Sequence, residues 1–215
     1  MDILNKDQLL AMEDKCIQEQ PPAAMAACPL KVECRSLCMA MKDGHFDAAR
    51  AIYVKSVPLP HALAYLCRMP CTEACLRKDL GGAIQMRELE WAAMQYGKPQ
   101  VRPLRPMRKI GKAAVIGSGP FGLTAASELA KKGFQVTLFE KEGELGGSLL
   151  QSDLPREALE ADIKQVLSTG LEVRLNEEIQ DPKALLDDYK VVVLAQGIVI
   201  EGTDPATLLT PVEGL

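Results

Sequence analysis

Seven cysteines stand at positions 16, 28, 34, 38, 67, 71 and 75, all within the first 75 residues of a 215-residue chain. An odd count, behind a start that carries Asp2, Lys6 and Asp7 where a signal peptide has its apolar stretch, suits metal or cluster ligation better than a disulfide framework. Further along, Gly117, Gly119 and Gly122 make a G-x-G-x-x-G. In that pattern the first glycine permits a tight turn, the second lets the backbone approach a pyrophosphate, and the third allows close helix packing, with the helix N-terminus facing the negative charge. Glu140 follows at the end of the next expected strand, placed to accept hydrogen bonds from an adenosine ribose. One half of the chain therefore offers soft sulfur donors, and the other offers a dinucleotide cradle.

The elements that must position these residues differ between the halves. Ala113–Ile116 is short and apolar, Phe121–Lys132 has helical spacing, and Gln135–Glu140 alternates toward its acidic end, so the glycines sit inside a βαβ unit. Downstream, Arg156–Ser168 reads as a helix, Leu171–Leu175 as a strand, Pro182–Tyr189 as a short helix and Val191–Ala195 as a buried strand. That alternation predicts a mostly parallel sheet. In the first half, Asp2–Asp14, Phe46–Val54 and the run from Ile84 through Leu89 to Met94 show helical spacing, the last carrying Glu88 and Glu90. Pro21, Pro22, Pro29, Pro58 and Pro60 break this half into short helices whose loops can wrap a cluster. Pro99, Pro103 and Pro106 alternate with Arg102, Arg105, Arg108 and Lys109, a run that reads as an extended linker. The expected organisation is an α-helical cluster domain over 1–98, a linker over 99–110 and an α/β Rossmann-like dinucleotide domain over 111–215.

Composition narrows the function classes. Hydrophobic residues make up 47% of the chain, enough for real cores, and the net charge of −4 argues against an electrostatic grip on nucleic acid or an anionic membrane. No stretch approaches the roughly 20 apolar residues of a membrane span, so a cytoplasmic protein is expected. No catalytic constellation is evident: Ser118 lies in the glycine loop rather than a nucleophile elbow, and neither His45 nor His61 has a motif around it. Four thiolates also suit tetrahedral zinc, but the two histidines are not at zinc-finger spacing, and electron-transfer clusters fit better beside a dinucleotide site.

Glu140 followed by Gly146 and Gly147 is similar to the second FAD signature, E-x5-G-G, of flavoprotein reductases with two dinucleotide sites, which favours FAD here. The expected cofactor-binding set is Gly117, Gly119, Pro120, Phe121, Gly122, Glu140, Lys141, Gly146, Gly147 and, where A-T-G is usual, Gly197 of Ala195-Gln196-Gly197. Over Cys16–Gly197 the chain resembles the small (β) subunit of NADPH-dependent glutamate synthase, whose N-terminal iron–sulfur domain also occurs in dihydropyrimidine dehydrogenase. The resemblance is carried by Cys28-Pro29-Leu30, by Gly44-His45-Phe46-Asp47-Ala48-Ala49, by Val57-Pro58-Leu59-Pro60 and by the C-x3-C-x3-C of Cys67, Cys71 and Cys75.

What the resemblance implies is a helical domain built for two [4Fe–4S] clusters. One takes Cys28, Cys67, Cys71 and a non-cysteine ligand at Glu90, where an ordinary solvated glutamate is the alternative. The other departs from the family, because its opening C-x2-C-x4-C-x3-C reads here as Cys16, Glu19, Ala24 and Cys28. Cys34 and Cys38, four residues apart and on one face if helical, are extra, and the expectation is that Cys16, Cys34, Cys38 and Cys75 bind the second cluster. The alternative keeps Cys34 and Cys38 as small buried hydrophobes and leaves one cluster.

Members of that family continue into a second G-x-G-x-x-G for NADPH and a closing G-D. Here Asp204-Pro205-Ala206-Thr207-Leu208-Leu209-Thr210 resembles the segment before that G-D, so the nicotinamide domain is expected to be missing. The resemblance then implies an electron-transfer subunit, relaying electrons between [4Fe–4S] and FAD, with a larger oxidoreductase partner supplying the substrate site. A non-redox scaffold with a degenerate flavin site, or a piece of a longer NADPH-dependent reductase, are the competing readings.

Overall fold

The computed structural model describes residues 22–99 and 110–197. The chain divides into two compact units, Met1–Val101 and Arg102–Leu215. The expected helix over Asp2–Asp14, Cys16, residues 100–109 of the expected linker and the segment Gly202–Leu215 lie outside the described residues.

The first unit is helical. It runs α1 (Ala23–Ala27), α2 (Cys34–Lys42), α3 (Phe46–Ser56), α4 (Pro60–Leu66), α5 (Pro70–Glu73), a 3-10 turn (Leu76–Leu80) and α6 (Met86–Tyr96). Prolines set the starts of α4 and α5, where a missing N–H costs nothing because the first turn has no acceptor for it. Helix α3 packs on α2 and α6, α4 on α6, and α1 on α5. Leu37, Ala49, Tyr53 and Ala93 are fully buried at the centre, with Val32, Met86, Cys34 and Cys71 around them. The end of α6 is tied down by the Arg50 guanidinium, which donates to the Met94 carbonyl at 2.6 Å and the Gly97 carbonyl at 3.2 Å. A cation at a helix C-terminus satisfies carbonyls that have no partner within the helix and meets the negative end of its dipole. The Lys98 N–H donates to the Asp47 carboxylate at 2.7 Å, which fixes the exit of the chain.

The second unit is α/β. It contains β1 (Gly111–Ile116), α7 (Pro120–Lys131), β2 (Phe134–Phe139), a 3-10 turn (Gly147–Gln151), α8 (Arg156–Leu167), β3 (Glu172–Arg174), a 3-10 segment (Pro182–Asp187) and β4 (Val191–Leu194). All pairings are parallel, in the order β3-β2-β1-β4. The last four residues of β1 and of β2 are buried, as strands covered on both faces must be. Leu123 and Ala126 of α7, with Leu159 and Val166 of α8, supply the buried helix side chains. The expected short helix over Pro182–Tyr189 is a 3-10 segment over Pro182–Asp187, opened by the Asp181 carboxylate, which accepts the Lys183 N–H at 3.0 Å. The expected strand Leu171–Leu175 is trimmed to three residues, because only Glu172–Arg174 find partners on β2. Among the described residues no helix is long and apolar enough to cross a membrane.

Candidate functional site

The dinucleotide cleft opens where β1 and β2 end, the place at which doubly wound sheets bind ligands. Gly117 turns the chain out of β1 with φ +99°, its N–H held by the Phe139 carbonyl at 2.8 Å. A Cβ at Gly122 would fall on the Gly117 carbonyl oxygen and within 3.2 Å of Ala195 Cβ, so helix α7 can approach β1 only with hydrogen there. At Gly119 nothing lies within 4 Å of the corresponding point, leaving open space against the backbone. Gly119 caps α7 without a side-chain bond and Pro120 opens the helix, so the first-turn N–H groups remain available to an anion.

Glu140 is 6% exposed and is held before any ligand arrives. Its Oε2 accepts from the Ser118 N–H at 2.8 Å and the Ser118 hydroxyl at 2.5 Å, and its Oε1 accepts from the Glu142 N–H at 3.0 Å. The Ser118 hydroxyl in turn accepts the Gly146 N–H at 3.1 Å, linking the first glycine loop to the second. Burial pulls the Glu140 carboxyl upward, but the hydrogen bonds from Ser118 and the backbone at Glu142 and Lys141 outweigh it and hold it below the usual range. The carboxylate is thus charged and oriented at neutral pH.

The cleft has a volume of about 1170 Å³. Gly117, Gly119, Pro120, Phe121, Glu140, Lys141, Gly147 and Gly197 of the expected set line it, while Gly122 and Gly146 sit behind the lining and shape it. Leu150, Ile179 and Leu194 add apolar surface, and Glu142, Glu144, Glu177 and Glu178 make the rim acidic. Ser118 is the residue the sequence reading passed over; its place directly after the first glycine, with a glutamate at the next strand end, is the available signal.

In the helical unit, Cys71 belongs to the buried core together with Cys34. It is buried on α5, with Glu90, Cys67 and Cys28 within electrostatic reach, and burial first, then those neighbours, push its thiol up. Cys34, the first residue of α2, is 6% exposed and donates to the Val32 carbonyl at 3.2 Å. Burial pushes it up to about 12, with Cys71, Cys28, Glu90 and Cys38 adding in that order. Glu90 is 5% exposed on α6, and burial raises its carboxyl to about 7. The Cys67 sulfur accepts the Met69 N–H at 3.3 Å, in a turn that places Met69 in the left-handed region at φ +57°. Cys38 lies 3.7 Å from the Met86 sulfur and is raised by burial and by Cys75. Cys75 behaves oppositely: backbone N–H groups at Ile84 and Arg77 hold its thiol below the usual range.

Cys34 and Cys71 share one buried core, against which Cys28 and Cys38 pack, and Glu90 is buried on α6. Cys38 turns to Cys75 and Met86, and Cys16 lies outside the described residues. Among the described residues no three His, Cys, Asp or Glu side chains stand together as the ligands of a single metal ion. The buried Thr72 hydroxyl, between Cys71 and Cys75, has no hydrogen-bond partner and is free to donate to a sulfur. Soft thiolates, backbone N–H groups aimed at sulfur and this hydroxyl together fit an iron–sulfur cluster.

Comparison with known proteins agrees with both halves. Residues 2–100 match the family of dihydropyrimidine dehydrogenase domain II, 4Fe–4S cluster, and residues 115–166 match the NAD(P)-binding Rossmann-like domain. The chain is 29% identical over 202 residues to the NADP(+)-dependent formate dehydrogenase subunit beta of Moorella thermoacetica, covering 80% of this chain and 29% of that protein. It is 28% identical over 196 residues to the NADPH-Fe(3+) oxidoreductase subunit beta of Geobacter sulfurreducens, covering 84% and 29%. It is 34% identical over 150 residues to the glutamate synthase [NADPH] small chain of Mycobacterium tuberculosis, covering 64% and 30%. The chain thus spans less than a third of the length of these relatives. A solved 2-naphthoyl-CoA reductase complex aligns over 82% of this chain and 24% of its own, at 20% identity and a TM-score of 0.37. The chain thus carries a segment that matches the dihydropyrimidine dehydrogenase domain II, 4Fe–4S cluster family, followed by one that matches the NAD(P)-binding Rossmann-like domain, and it is similar to the glutamate synthase small chain.

Proposed function

We propose that this chain is an electron-transfer module of a larger oxidoreductase, relaying electrons between a [4Fe–4S] centre in its helical unit and FAD in its Rossmann-like unit. The observation that carries the reading is the pairing, in one chain, of a buried sulfur set around Cys71 with a preformed dinucleotide cleft around Glu140. The names of relatives, all oxidoreductase subunits or chains, support it.

FAD is favoured over NADP by charge. Glu140 and four further glutamates line the cleft against one lysine, Lys141, an arrangement that repels a 2′-phosphate while suiting a plain ribose. The E-x5-G-G from Glu140 to Gly147 favours FAD over NAD. Glu140 would accept from the adenosine ribose, the open backbone at Gly119 would admit the pyrophosphate, and the N-terminus of α7 would face its charge. When bound, a flavin interconverts two-electron and one-electron chemistry, and an iron–sulfur cluster carries single electrons. The chain's own groups bind and orient, and a partner subunit in the cytoplasm supplies the substrate site.

The test is iron, sulfide and flavin content of anaerobically purified protein, with visible spectra before and after dithionite. About four or about eight iron per chain together with one FAD supports the relay, the larger number meaning two clusters. Iron with no flavin, even after incubation with FAD, refutes the relay and leaves a cluster-bearing scaffold.

A further inference from the structure

The two edges of the parallel sheet are built differently. β3 closes one edge with three residues, and its exposed Glu172 and Arg174 pair with each other at 2.9 Å. A short strand bearing charge is how natural sheets keep an edge from recruiting another strand. β4 closes the other edge with Val191, Val192, Val193 and Leu194, which carry no charge, and among the described residues it is hydrogen-bonded to β1 alone. The three valines are half-buried and Leu194 is 49% exposed, whereas the last four residues of β1 and of β2 are buried. An apolar strand with one row of unpaired N–H and C=O groups is a template for one more strand.

The residues that leave β4 say which strand that is. Ala195, Gln196 and Gly197 follow it, and Gly197 adopts φ +68°. A Cβ there would meet nothing within 4 Å, so the position calls for the backbone conformation of glycine and not for room. A three-residue connection ending in a left-handed glycine is a hairpin link, and the sequence beyond it is Ile198-Val199-Ile200, three β-branched residues suited to a strand. A parallel return needs a crossover of roughly a dozen residues, so a strand that starts directly after Gly197 runs antiparallel, as edge strands on otherwise parallel sheets often do. We propose that residues 198–200 fold back on the open edge of β4, so that the chain covers its own edge strand and denies it to a second copy. Ala195, Gln196 and Gly197 line the nucleotide cleft, and a Cβ at Gly117 would lie 2.6 Å from the Ala195 carbonyl oxygen. Anchoring this turn fixes the cleft wall that faces the first glycine loop. The proposal holds whichever dinucleotide the cleft takes, and it requires no cluster in the helical unit.

The full chain is followed by hydrogen–deuterium exchange with residue-level fragmentation, at low and high protein concentration, as wild type, Gly197→Val and Gly197→Asn. In the wild type, slow exchange is expected within residues 198–200 and at the β4 amides that point away from β1, independent of concentration. Valine tolerates the left-handed region poorly and is expected to speed exchange at these amides by about tenfold or more; asparagine tolerates it and should stay within about threefold, with the β1 amides unchanged in both. Residues 198–200 exchanging as fast as an unstructured peptide overturn the proposal from the wild type alone, whatever the variants do. So does β4 protection that rises with concentration alongside a dimer in sedimentation velocity, which gives the edge to a second copy. Exchange in Gly197→Val equal to that of the wild type overturns it as well.

Discussion

Replacing Ser118 by alanine tests whether the Glu140 carboxylate is fixed by the protein or merely sits near it. The change deletes the 2.5 Å hydrogen bond from the hydroxyl to Oε2 and strips the Gly146 N–H of its 3.1 Å acceptor, while the backbone bonds from Ser118 and Glu142 to the carboxylate remain. A hydrogen bond to a charged group contributes about 1.5–3 kcal/mol, and a buried N–H left without an acceptor costs about 1–3 kcal/mol. With two backbone donors still holding the carboxylate, a loss of about 3 kcal/mol at neutral pH is expected. Only the hydroxyl–carboxylate bond is shared with Glu140, so a double-mutant cycle with Glu140→Gln should return a coupling of about 1–2 kcal/mol. The assay is urea unfolding by far-UV circular dichroism. The single tryptophan, Trp91, lies in the helical unit, so its fluorescence marks that unit's transition separately. A coupling below about 0.3 kcal/mol, or a Ser118→Ala loss below about 1 kcal/mol, refutes the argument that Ser118 positions Glu140.

Further predictions concern pH, packing and the helical unit. Glu140 is depressed in the folded chain, so its stabilisation is present above the ordinary carboxyl range and lost as pH falls through its folded value; the stability gap between wild type and Glu140→Gln should therefore narrow in acid, and a gap that widens contradicts the assignment. Gly122→Ala places a methyl on the Gly117 carbonyl and should abolish measurable FAD binding and destabilise by about 1–3 kcal/mol or more, read by flavin titration and urea unfolding. Arg50→Ala removes a charged donor from the carbonyls of Met94 and Gly97 and should cost about 1.5–3 kcal/mol in the Trp91-monitored transition; an unchanged midpoint refutes its capping role.

Much of the Rossmann-like unit was legible because its demands are local. Gly117, Gly119 and Gly122 are required at fixed spacing by one turn, one ligand approach and one helix contact, and Glu140 by the end of a strand whose length the alternation gives. The cysteine loops were legible for the same reason. What escaped was anything set by the meeting of distant segments. Ser118 reads as a small loop residue until Glu140 and Gly146, respectively 22 and 28 positions away, close on it. Cys34 and Cys38 look like a pair at helical spacing, and only the fold brings Met86, 48 positions away, to the Cys38 sulfur. Pro182–Asp187 carries a helix start signal, and the choice between an α-helix and the tighter 3-10 coil that forms there is not written in that signal.

The confinement of every cysteine to the first 75 residues has a consequence for biosynthesis. Chains emerge from the ribosome in order, and domains fold as units with the N-terminal one first. All the sulfur donors are in the open before the first strand of the sheet, which begins at Gly111, has been translated. A delay at that stage leaves the nascent thiols, not the nucleotide cleft, exposed to oxidants.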